Sequence, residues 1–93
     1  MACRVEDVIQ LLEDIAPPRL AEEWDNVGLL VGSRWAEVSR VLVSLDCTRE
    51  VLEEAGEAGA EMLVCHHPPI FRPLSRLLLD DPEGSLLCAA IAA

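Results

Sequence analysis

The chain has 93 residues, of which 52% are hydrophobic and only 3% aromatic, with no tyrosine. The length suits one domain or part of one, and the apolar share excludes a disordered chain. Seventeen acidic residues against seven basic ones leave a formal charge of −10, which argues against a nucleic-acid ligand because an acidic surface repels phosphates. The longest apolar run, "LLCAAIAA", falls far short of the ~20 residues that span a bilayer, and no charged start followed by an apolar stretch marks a signal peptide. Cys3, Cys47, Cys65 and Cys88 form no C-x-x-C pair, so a zinc ribbon is not indicated. Reduced thiols and a cytoplasmic location are expected.

Val5, Val8, Ile9, Leu12 and Ile15 recur at helical spacing with acidic residues between them, which predicts an amphipathic helix. Pro17 and Pro18 stop it. A short helical piece is expected over "RLAEEW", with Trp24 as a core anchor. "NVGLLVGS" reads as a short strand bounded by Gly28 and Gly32.

"VSRVLVSLD", Val38 to Asp46, and "EMLVC", Glu61 to Cys65, are apolar on consecutive positions, as strands covered on both faces are. Between them Thr48 is an N-cap candidate, Glu50 suits the first turn, and Gly59 fits the end of a helix. Strand, helix and strand in this order predict a βαβ unit with a right-handed crossover. Asp81, Pro82 and Glu83 open a last helix that runs to Ala93 without a C-cap or a polar finish. That apolar, uncapped finish predicts a chain cut mid-fold.

"LVCHHPPIF" holds the only histidines, His66 and His67. In a parallel sheet, ligands collect at the carboxyl ends of the strands, and the βαβ reading puts Asp46 and both histidines on one such rim. In a regular strand, neighbouring side chains point to opposite faces. At a strand end, with Pro68 holding His67 extended, the chain can turn both rings towards one cavity. Adjacent imidazoles chelate one ion only with strain. They suit two ions ~3.5–4 Å apart better, close to the Cα spacing of neighbouring residues. The competing reading is a pair of surface histidines in a proline-rich loop. Two imidazoles are too few for zinc or iron, and the further candidates are Asp46, Asp25, Asp80 and Asp81. Each has a plainer role: Asp46 helping the next helix start, Asp80 and Asp81 as a cap, Asp25 with Asn26 as a turn. No P-loop, dinucleotide fingerprint or nucleophile elbow is present.

"LAEEWDNVGLLVG", "VLVSLDCT" and "MLVCHHPPIF", in this order and spacing, resemble the dinuclear-metal-centre family. Its members are often labelled GTP cyclohydrolase 1 type 2 homologs or NGG-interacting-factor-three-like proteins. The resemblance implies an α/β fold, a hexameric ring, and pairs of divalent ions such as zinc or iron facing an inner cavity. His66 and His67 match the first two metal ligands. The remaining ligands belong to family segments beyond the stretch that this chain resembles.

The resulting expectation is the N-terminal part of a dinuclear-metal-centre domain over residues 1–93, with a parallel or mixed sheet and flanking helices. His66 and His67 would bind metal, while Asp46, Asp25 and Asn26 would lie on the rim or support it. Two divalent ions per complete subunit would activate a water for attack on an unidentified small molecule, a nucleotide or phosphoester-like substrate. The rival expectation is a non-catalytic ring that binds metal or protein partners. Neither nucleic acid nor membrane is an expected partner, and these 93 residues alone are expected to be inactive.

Overall fold

A computed structural model describes residues 3–21 and 26–93. The first helix, α1, covers Val5–Ile15. Its opening turn is held by the Asp7 carboxylate, which accepts the Arg4 main-chain N–H at 2.8 Å. It ends just ahead of Pro17 and Pro18, where the residue before a proline is pushed out of helical geometry. Val5 is buried, but Leu12 and Ile15 on the same stripe are exposed. Of the expected second helical piece, the described residues contain a three-residue 3-10 turn, Pro18–Leu20. Trp24 and Asp25 lie outside the described residues.

The strand expected over Asn26–Ser33 does not form. Gly28 and Gly32 adopt φ values of 107° and 112°, a conformation that interrupts an extended ladder and that glycine takes without a Cβ clash. The segment instead brings Leu30 and Val31 to an open cleft of about 470 Å³, shared with Ile70, Leu74, Leu77 and Leu87.

The single strand expected over Val38–Asp46 is two strands. β1, Cys3–Arg4, pairs antiparallel with β2, Glu37–Val38, with Cys3 opposite Val38. β3 then covers Val41–Ser44. Glu61 makes the break between β2 and β3. Its carboxylate accepts the main-chain N–H groups of Ser39 at 2.7 Å and Arg40 at 3.1 Å, and the Ser39 hydroxyl at 3.1 Å. These donors, with the Arg40 charge, hold the Glu61 carboxyl below its ordinary range.

The helix α2, Arg49–Ala58, begins where the Thr48 hydroxyl accepts the Val51 N–H at 3.2 Å. It ends at Gly59, in the left-handed region at φ 71°. β4, Met62–Cys65, then lies parallel to β3, with Val41 opposite Met62 and Ser44 opposite Cys65. The expected βαβ order is therefore present.

The last helix, α3, covers Pro82–Ala92. The Asp81 carboxylate accepts the Gly84 N–H at 3.3 Å, and Arg49 ties α2 to α3 by donating to the Ser85 hydroxyl at 2.7 Å. Gly84 is buried against the Leu78 backbone, so that a Cβ there would stand 2.8 Å from the Leu78 nitrogen. The protein is thus mixed α/β, with, among the described residues, three α-helices and two small sheets. The buried apolar residues among those described are Val5, Val38 and Leu87, one from α1, one from β2 and one from α3. Among the described residues, no helix is long and apolar enough to cross a membrane.

Candidate metal centre

Parallel pairing puts the carboxyl ends of β3 and β4 at one edge, and the ladder runs on past both. His66 N–H donates to the Ser44 carbonyl at 3.1 Å, and His67 N–H to the Leu45 carbonyl at 2.8 Å. Backbone bonds thus hold both histidines alongside Leu45 and Asp46. The Ser44 hydroxyl donates to the Asp46 carbonyl at 2.7 Å and fixes the turn after β3. The sequence reading did not single out Ser44; the only hint was a lone hydroxyl in an otherwise apolar run.

His67 Nδ1 stands 2.6 Å from Asp46 Oδ1, with both side chains more than half exposed. With the proton on Nδ1 donated to this carboxylate, the Nε2 lone pair points elsewhere and is free to bind. A carboxylate on the far nitrogen is the usual device that fixes the ring of a metal-binding histidine and raises its basicity. The His66 ring lies beside it, with centroids 4.9 Å apart and planes tilted by 51°. The two rings therefore share one side of the chain, as a strand end permits and a strand interior does not.

Cys47 and Cys65 sit beneath this rim and share a hydrogen bond. Burial pushes Cys65 up to about 11, aided by the neighbouring Cys47 thiol and the Asp46 charge. Burial also raises Cys47.

Of the other candidates, Asp25 lies outside the described residues, and Asp80, Asp81 and Asn26 have other places. Asp81 is a helix cap, and Asp80 stands exposed in the turn before it. The Asn26 amide donates to the Ile70 carbonyl, so that it braces the exit of the His-His-Pro-Pro loop. Asp46 is not the cap of α2, a role filled by Thr48; its carboxylate faces His67. Among the described residues, no group of three or more His, Cys, Asp and Glu side chains is placed to hold an ion.

The family model described as Duf34/NIF3 (NGG1p interacting factor 3) matches residues 3–93. The chain belongs to this family. A Clostridium perfringens relative named GTP cyclohydrolase 1 type 2 homolog is 44% identical over 88 residues, covering 95% of this chain and 34% of the relative. NIF3-like protein 1 of Drosophila melanogaster is 40% identical over 86 residues, covering 91% of this chain and 30% of its own length. A Staphylococcus aureus protein of known crystal structure superimposes with a TM-score of 0.91 at 40% identity, covering 97% of this chain and 29% of that one. The chain thus spans about a third or less of the Duf34/NIF3 relatives it matches.

Proposed function

We propose that these 93 residues supply two histidine ligands of a dinuclear metal centre in a metal-dependent hydrolase acting on a nucleotide or phosphoester-like substrate. The observation that carries this reading is the Asp46–His67 pair at 2.6 Å, beside a second imidazole on the same strand end. A pair of divalent ions, zinc or iron, when bound, would supply an activated water and charge stabilisation. His66 would give one ring nitrogen to one ion, and His67 its Nε2 to the other. Asp46 would hold the His67 proton on Nδ1 and keep that ring oriented.

The remaining ligands would come from other segments of the family fold, because zinc takes four ligands, or three with a water. The names of the C. perfringens and D. melanogaster relatives support the family reading, and the cyclohydrolase label fits a nucleotide substrate. A complete subunit would assemble into a homo-hexameric ring, and the free thiols suit a reducing, cytoplasmic compartment.

A metal-dependent turnover screen over nucleotides and phosphomonoesters, run on a complete family subunit carrying this stretch, tests the hydrolase reading. Turnover that needs divalent metal and is lost in His66→Ala and in His67→Ala supports it. Metal bound at both histidines without turnover on any of these substrates contradicts it in favour of a non-catalytic ring.

A further inference from the structure

Ser44 and Cys65 are the last opposed residues of the parallel ladder. Past Ser44 the chain bends through Leu45 and Asp46, and the Ser44 hydroxyl closes that bend on the Asp46 carbonyl at 2.7 Å. A bend, in place of a continued strand, keeps Cys47 beside the end of β4, where its thiol and that of Cys65 share a hydrogen bond. Both are free thiols and only partly buried, so a small reagent can reach them. Cys3 lies in β1 and Cys88 in α3, outside this bend. Two thiols in contact need only a short movement to close a disulfide, whose S–S length is ~2.05 Å.

That movement falls on the metal rim. Cys47 directly follows Asp46, whose carboxylate stands 2.6 Å from His67 Nδ1. The His66 and His67 N–H groups are tied to the Ser44 and Leu45 carbonyls, so the β4 side is fixed and the shift is taken up by 46–47. A contact of 2.6 Å is already at the short limit for a nitrogen–oxygen hydrogen bond. Asp46 cannot move closer to His67, and moving away loses the bond.

We propose that Cys47 and Cys65 form a redox modification site, a reversible disulfide whose closure draws Asp46 off His67. The oxidant is a low-molecular-weight disulfide of the glutathione class. One protein sulfur attacks a sulfur of the reagent, which forms a mixed disulfide and releases one reagent thiol. The second protein sulfur then attacks the bonded protein sulfur and releases the other. Two protein thiols lose two electrons, the reagent disulfide gains them, and the two thiol protons pass to the released thiols. With the second thiol already in contact, the closing step is intramolecular and wins over a lasting mixed disulfide. Burial, which raises both thiols, slows the first attack; the amount of bridge at equilibrium is set by the reduction potential of the pair. In a reducing compartment such a bridge is transient and reports an oxidised thiol pool. The inference does not rest on metal at His66 and His67, and its test is read on metal-free protein.

The test equilibrates a complete family subunit carrying this stretch, freed of metal by a chelator, in mixtures of glutathione and glutathione disulfide. Exchange is stopped with acid and the remaining thiols are alkylated. Trypsin cuts after Arg40, Arg49 and Arg76 but not between Arg72 and Pro73, which puts Cys47 on peptide 41–49 and Cys65 on peptide 50–76. Mass spectrometry is expected to find these two peptides joined, in a share that rises with the oxidised fraction and is lost with dithiothreitol. Over the same mixtures the ¹⁵N signal of His67 Nδ1 should shift from its position in the reduced protein. In Cys47→Ser that signal should be the same in every mixture. Peptides that stay unjoined, lasting glutathione adducts at either thiol, or a bridge to another cysteine overturns the proposal, and this arm needs no variant to fold. So does a joined pair with an unmoved His67 signal, or a His67 shift that persists in Cys47→Ser.

Discussion

The two sheets of this protein differ in almost every respect. β1–β2 pairs Cys3 with Val38, residues far apart in sequence, and it abuts buried Val5 and Val38. β3–β4 is built by one local strand–helix–strand unit, and it leaves Val43 and Leu45 in water. β1–β2 contributes one buried residue, Val38, with Cys3, Arg4 and Glu37 exposed; β3–β4 leaves Val41 and Val43 exposed and its other residues half-buried. Regular secondary structure therefore does not mark where this chain is buried. The polar rim with His66 and His67 grows out of β3–β4, with both the His67 and Asp46 side chains more than half exposed.

Substitutions sharpen this contrast. The largest effect is expected at Gly84, where α3 meets the Leu78 backbone. Gly84→Ala drives a methyl into main-chain atoms that cannot swing aside, and overpacking of this kind costs about 3 kcal/mol. Urea unfolding followed by circular dichroism measures the loss; an unchanged midpoint would mean that α3 does not dock against Leu78.

Next comes the direct comparison of the two sheets. Val38→Ala, at a buried site in β2, should cost about 2 kcal/mol. Val43→Ala, at an exposed site in β3, should cost less than about 0.5 kcal/mol. Equal losses in the same assay would break the contrast between buried Val38 and exposed Val43. Thr48→Ala removes the cap that accepts the Val51 N–H and should cost about 1 kcal/mol. Thr48→Asn, which keeps an acceptor there, should restore most of it.

The smallest effect belongs to Glu61. Its carboxyl is held below the ordinary value of 4.5 by the Ser39 and Arg40 donors. A depressed folded-state value means that the contribution is present above about pH 4.5 and fades as pH falls through the lower folded value. Glu61→Gln should therefore flatten the acid limb of a stability–pH curve and lower stability slightly at pH 7, because Glu61 is fully exposed. A variant with an unaltered acid limb would show that the link between β2 and β3 does not depend on this carboxylate.

Local signals were legible in the sequence. The apolar spacing of α1, Thr48 and Gly59 around α2, Asp81 and Pro82 ahead of α3, and the parallel relation of β3 and β4 all follow from residues near one another. The β1–β2 pairing was not legible, because two residues at each end carry no alternation to read and the partner lies elsewhere in the chain. The strand expected over 26–33 failed for a readable reason: Gly28 and Gly32 bounded a short apolar run, and both take positive φ. For the candidate site, the sequence placed Asp46, His66 and His67 on one rim. It did not reveal that Asp46 meets His67 in particular, nor that Asn26 binds the Ile70 carbonyl, because side-chain pairing depends on the turn that Ser44 closes.

The central claim, that Asp46 orients His67 so that its Nε2 joins His66 in holding metal, is tested most directly by zinc titration of a complete family subunit carrying this stretch. The readout is the imidazole nitrogen shifts in ¹⁵N nuclear magnetic resonance. The account predicts that zinc moves His67 Nε2 while Nδ1 keeps its proton, and that one His66 nitrogen moves as well. Asp46→Asn should weaken the His67 response about 10- to 100-fold and leave that of His66 unchanged. Zinc bound at His67 Nδ1, or nitrogen shifts unmoved at both residues, would contradict it.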